Sequence, residues 1–159
     1  FPEKINTYLA DSSICSMALN AVNIYHTDFL YTNKLWLYKD AKQTGITPII
    51  LSNIAQDDNK AIILEYEKWS KEGDQILESS FEVILHLLSE LQITQVFLAG
   101  FDGFSFNNDE NYYSSEMKRV LTKEEVLSIN KKVTQTLRRY RDQISFTFIT
   151  PTKYEGWND

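Results

Sequence analysis

Cysteine occurs once in these 159 residues, at Cys15. No disulfide can form within the chain, which fits a reducing compartment and a cytoplasmic location. Cys15 lies in an apolar run, so the expectation is a buried, inert thiol. Glycine is scarce, with five residues. Neither GxGxxG nor GxxxxGK[ST] is present, so both standard phosphate-cradling loops are missing. The only histidines are His26 and His86. With no HExxH and no Cys/His cluster, a zinc or other metal site is not expected. A GxSxG nucleophile elbow is also missing. No run of 18 apolar residues exists, which excludes a spanning helix. The opening Phe1-Pro2-Glu3-Lys4 lacks the basic start and apolar run of a signal peptide. It also lacks an initiating Met, so the chain reads as a piece of a larger protein.

Positive charge is in deficit: 16 Lys and Arg stand against 22 Asp and Glu, a net charge of −6. Nucleic-acid binding rests on cations neutralising phosphates, so nucleic acid is not the expected partner. The basic stretch Lys131, Lys132, Arg138, Arg139 and Arg141 reads as the solvated face of one helix. His86 falls inside a helix and suggests packing or a surface role, whereas His26 precedes a strand and is a functional candidate. Among the carboxylates no acid/base couple stands out, and Asp57-Asp58 reads as a solvated loop. What is present is a globular composition, 43% hydrophobic and 24% charged, long enough for a single domain over residues 1–159. Aromatics reach 13%; they serve core packing and can also line sugar or base sites.

Periodicity predicts a helix at 3–10, a strand at 14–19 and a strand at 28–32. A helix follows at 33–42, closed by Gly45 as a left-handed cap. The next strand is 47–52, where Pro48 is tolerable only near the start. Residues 61–66 read equally as strand or helix, and the region to 75 stays open. Phe81, Ile84, Leu85, Leu88 and Leu91 recur at helical spacing over 78–91. Residues 95–100 (QVFLAG) read as a buried strand. A long loop fills 101–121. Thr122 and Glu125 form a capping box that opens a helix to about Arg141. A last strand at 144–150 stops at Pro151. Strands alternating with helices predict an α/β fold, a three-layer Rossmann-like parallel sheet with helices on both faces.

Ligands of open parallel sheets bind outside the carboxyl ends of the strands. Every predicted strand ends there in a small hydrogen-bonding residue: Asn20, Thr32 with Asn33, Ser52 with Asn53, Asp102, and Thr150 with Thr152. Such groups suit a polyol, a ribose or a phosphate ester. The same residue types are also the preferred helix caps, so the competing reading is purely structural. The sharpest local feature is Gly100-Phe101-Asp102-Gly103-Phe104-Ser105. Its glycines allow close approach or positive φ, and Asp102 is placed to take a hydroxyl or to cap a turn. Asn107, Asn108, Asn111, Tyr112 and Tyr113 follow in a stretch too polar for a core. Long loops at strand ends are often functional. The competing reading is a surface loop anchored by Phe101 and Phe104.

These pieces together resemble a Rossmann-like module in the C-terminal part of 4-hydroxy-2-oxovalerate aldolase-type (HMG-CoA lyase-like) proteins. The likeness is carried by Asn20, by Asp28-Phe29-Leu30-Tyr31-Thr32-Asn33-Lys34 and by Ser52-Asn53. It continues through Leu98-Ala99-Gly100-Phe101-Asp102-Gly103-Phe104-Ser105, Asn111-Tyr112-Tyr113 and Thr150-Pro151-Thr152-Lys153-Tyr154. LAGFDGFS is its most specific stretch. The resemblance implies a Gly-rich first strand and turn ahead of this segment, and an aldolase barrel upstream as partner. The barrel is missing here, so aldolase activity cannot reside in these residues. A more distant likeness, to bacterial sialyltransferase-like proteins, implies a sugar-nucleotide site; the histidine such a site uses has no match near the C-terminus.

The expectation is an accessory domain of an aldolase-type lyase in surface-glycan precursor synthesis. It would bind a nucleotide, sugar or acyl-carrier ligand through Asn20, Thr32, Asn33, Ser52, Asn53, Asp102 and Tyr113. The alternatives are a glycosyltransferase-like enzyme and a structural oligomerisation module. No cofactor and no catalytic residue is assigned.

Overall fold

The structure is a computed structural model that describes residues 2–21, 26–111 and 120–157. The chain forms two compact units, one of Asn6–Leu91 and one built on the stretch from Gln92 onward.

The first unit holds four parallel strands in the order β1 (Met17–Leu19), β2 (Phe29–Tyr31), β3 (Thr47–Leu51) and β4 (Ile62–Leu64). Strand side chains alternate between faces. On one face Tyr31, Ile49, Leu51 and Leu64 pack with Val83, Ile84 and Leu87 of the helix Ser80–Glu90. On the other, Ala18, Leu30 and Ile46 pack with Ala41 of the helix Leu35–Thr44. The architecture is therefore α/β, with a parallel sheet between helices, as the alternation predicts. Counting the N-terminal helix Pro2–Leu9 as α1, the two covering helices are α2 (Leu35–Thr44) and α4 (Ser80–Glu90), with the single turn α3 (Tyr66–Trp69) between them.

Several boundaries follow sequence chemistry. Gly45 ends α2 at φ 79°, a left-handed cap that glycine adopts without a Cβ penalty. Pro48 is the second residue of β3, where no interior ladder bond is lost. The region left open resolves into β4, α3 and the hairpin β5 (Lys71–Glu72) with β6 (Gln75–Ile76). His86 packs its ring 5.6 Å from that of Trp69.

Two expectations need correction. Strand β1 starts at Met17, three residues later than the apolar run suggests, and Cys15 is exposed. Apolar neighbours alone do not bury a residue when it precedes the strand they form. Asp58 is not a solvated loop residue either. Its side chain is 6% exposed, paired with Lys42 Nζ at 2.7 Å and hydrogen-bonded by the Tyr38 hydroxyl and the Lys60 N–H. It ties the loop after β3 to α2.

In the second unit β7 (Gln95–Leu98) and β8 (Ser145–Phe148) run parallel and are joined by α5 (Lys123–Tyr140). The predicted Thr122–Glu125 capping box is present. Strand β7 is less buried than its apolar sequence suggests, with only Leu98 fully covered. Phe146 and Phe148 share a face with Trp157, their ring centroids 5.7 and 5.9 Å from it.

Candidate functional site

Because β1 to β4 are parallel, their carboxyl ends emerge on one edge of the first unit. Asn20 follows β1 in a left-handed conformation, φ 48°, which Asn tolerates better than most residues. Its Oδ1 accepts the Thr32 hydroxyl (2.9 Å) and the Asn33 N–H (3.2 Å). Its Nδ2 donates to Ser80 Oγ at 2.7 Å. The Thr32 hydroxyl also accepts the Lys34 N–H at 3.0 Å, and Thr32 is fully buried. The structure thus brings Asn20, Thr32 and Asn33 together. Asn20 and Thr32 spend their polar atoms holding the starts of α2 and α4.

Asn33 and Asn53 are exposed, and neither side-chain amide has a partner among the described residues. Ser52 Oγ accepts the Tyr66 N–H at 3.0 Å and keeps its own proton to donate. The start of α2 carries no side-chain cap, whereas α4 is closed by the Ser79–Glu82 capping box. A helix start leaves N–H groups unmet and favours negative charge. Lys34 stands there exposed, and Trp36 in the first turn is 47% exposed. Reading strand ends alone missed Lys34 and Trp36. Their signal was a helix opening Lys-Leu-Trp with no Ser, Thr, Asp or Asn at the capping position.

Asp102 lies in the second unit, beside Thr150. The Gly100 N–H donates to Thr150 Oγ1 (3.0 Å), and the Thr150 hydroxyl donates to Asp102 Oδ1 (2.6 Å). The Lys153 N–H donates to the Asp102 carbonyl at 2.8 Å. Tyr154 is buried nearby; burial first and the Asp102 charge second push its phenol up to about 12.

Three asparagines organise the loop around Asp102. Asn130 Oδ1 accepts the Phe104 N–H and its Nδ2 donates to the Phe104 carbonyl, both at 2.8 Å. Asn111 embraces Ser105 in the same way (2.6 and 2.9 Å), and Asn108 embraces Leu121 (2.8 and 3.2 Å). The polarity of the described part of this loop is therefore largely internal. Asn107 caps a single 3-10 turn, Asn108–Glu110. Glu110 pairs with Lys153 at 3.6 Å. Tyr113 and Tyr112 lie outside the described residues. His26 is exposed and belongs to no cluster of three potential metal ligands among the described residues.

No cluster of three potential metal ligands exists among the described residues, and none of their helices is long and apolar enough to cross a membrane. No family model matches the chain, and neither a curated protein nor a solved structure matches it.

Proposed function

We propose that the chain is an accessory ligand-binding domain that takes an anionic small molecule, a nucleotide or sugar phosphate, at the carboxyl edge of β1 to β4. The observation that carries this reading is the uncapped start of α2 on that edge, with the Asn33 amide, the Lys34 ammonium and the Trp36 ring exposed around it. The helix N–H groups and Lys34 would take a phosphate. Asn33, Asn53 and Ser52 would take hydroxyls or base edges, and Trp36 offers a flat apolar face. The LAGFDGFS resemblance supplies the context, an aldolase-type lyase as parent protein.

The test is an NMR titration of amide shifts with UMP, CMP, a UDP-sugar, coenzyme A and NAD. Saturable shifts at residues 33–36, 52 and 53 are expected. Lys34→Ala should weaken binding about tenfold, the value of one charge-assisted contact, and Asn33→Ala about fivefold, that of a neutral hydrogen bond, neither changing the unfolding midpoint. A second reading, a purely structural module, is favoured by the closed Asn20–Thr32–Ser80 network. Silence from every probe would select it.

A further inference from the structure

We infer that Asp102 is a pre-oriented acceptor for the vicinal hydroxyls of a ribose or other sugar, a second binding site that stands on residues of the second unit alone. Strands β7 and β8 are parallel and in register from Gln95 opposite Ser145 to Leu98 opposite Phe148. Their carboxyl ends therefore deliver the segments Gly100–Asp102 and Thr150–Lys153 side by side, the end of a βαβ unit where ligands collect.

The carboxylate there is fixed. Oδ1 is held by the Thr150 hydroxyl, itself anchored by the Gly100 N–H, and the Asp102 carbonyl is held by the Lys153 N–H. Asp102 is nevertheless exposed, and its Oδ2 has no partner among the described residues. One carboxylate oxygen is thus spent on positioning and the other is offered to solvent.

The surroundings narrow the ligand class. Lys153, in the neighbouring segment, is paired with Glu110 at 3.6 Å, so among the described residues the position does not favour a phosphate. The lack of three clustered metal ligands among the described residues argues against a cation. What remains is a neutral donor of hydrogen bonds. An ionised carboxylate accepts only, and two adjacent hydroxyls satisfy it without a counter-charge. Space is available as well. Gly100 sits at φ 73°, and a Cβ built on it would meet nothing within 4 Å among the described residues. A sugar ring can therefore approach the backbone beside the carboxylate. The three asparagine clamps hold this loop in place beforehand, so little ordering cost remains for binding.

The test uses the full chain and neutral probes, which keep phosphate contacts out of the readout. Uridine and methyl α-mannoside are titrated against 2′,3′-dideoxyuridine while the amide signals of Gly100, Gly103 and Lys153 are followed. At least one diol probe should shift these signals saturably, with dideoxyuridine at least tenfold weaker than uridine if uridine is that probe. Asp102→Asn keeps an oxygen for Thr150 while replacing the open acceptor with a donor. It should cut affinity about tenfold and leave the unfolding midpoint in place. Silence at these amides with both diol probes, equal binding of uridine and its dideoxy analogue, or full affinity in Asp102→Asn each overturns the inference. Shifts confined to residues 33–36 with the anionic probes would leave the first site standing while this one falls.

Discussion

Replacing Asn130 by Ala removes the two hydrogen bonds that its side chain makes to the Phe104 backbone, each 2.8 Å long and partly buried. Leaving a buried donor or acceptor without its partner costs about 1–3 kcal/mol per group. Water reaches a half-buried loop in part, so the low end applies and the two groups together lose about 2–3 kcal/mol. Alanine is the better helix former and returns about 0.5 kcal/mol at this position of α5. The net expectation is a loss of about 2 kcal/mol, which corresponds to a roughly 30-fold faster exchange of the Phe104 amide if exchange follows opening of this segment. Urea unfolding should shift by about 1 M for a slope near 2 kcal/mol/M. Native-state hydrogen exchange read by NMR is the assay. Asn130→Asp serves as a partial control, because it keeps the acceptor for the Phe104 N–H and sets a carboxylate against the carbonyl. An Asn130→Ala protein whose Phe104 amide exchanges at the original rate would refute the claim that side-chain amides fix this loop.

The remaining predictions concern other parts of the chain. The Asp58 carboxyl is held well below its ordinary value of 3.8, first by Lys42 and then by Tyr38 and the Lys60 N–H. A depressed folded value contributes stability above the unfolded value that is lost as pH falls through the folded one. Unfolding midpoints should therefore drop below about pH 4, and Asp58→Asn should flatten that part of the profile; an unchanged acid limb would contradict the assignment. Gly103 sits at φ 81° with Lys153 Cβ 3.2 Å from where its own Cβ would be. Gly103→Ala should destabilise the protein by about 2 kcal/mol, from left-handed strain of about 1–2 kcal/mol plus the tight contact, as measured by chemical denaturation. Cys15 is exposed, while partial burial of the thiol and the Asp28 charge push its pKa up. Iodoacetamide should label the native protein to completion, slowly at pH 7 and faster as pH rises toward 10. A need for denaturant would show that the thiol is covered.

Much of the fold was legible because it rests on local chemistry. The Gly45 cap, the Thr122–Glu125 box, the place of Pro48 in β3 and the apolar spacing of α4 are each decided within a few residues. The stretch 61–75 was not legible, because Ile62–Leu64 is too short for period 2 and period 3.6 to differ. The burial of Asp58 and the exposure of Cys15 were also hidden. The first depends on partners distant in sequence, Lys42 and Tyr38, and the second on the late start of β1, which leaves Cys15 ahead of the strand. At the candidate site, the strand-end rule correctly placed Asn20, Thr32 and Ser52 on one edge. It did not reveal which of them had polar atoms to spare.

That distinction is what separates scaffold from candidate contact. Asparagine occurs here in two states that composition cannot tell apart. Asn20, Asn108, Asn111 and Asn130 each spend donor and acceptor on the chain itself. A ligand competing for those atoms would have to break bonds that hold a helix start or a loop, so net affinity from them is small. Asn33, Asn53 and the Oδ2 atom of Asp102 are exposed with nothing among the described residues to satisfy them. Only water is displaced when a ligand reaches them, and the fixed backbone beneath limits the ordering cost. Mutating the first group should therefore lower stability and carry affinity down with it. Mutating the second should lower affinity at constant stability. Measuring both quantities on Asn20→Ala and Asn33→Ala separates the two classes, and equal stability losses in the two variants would show that hydrogen-bond saturation does not distinguish them.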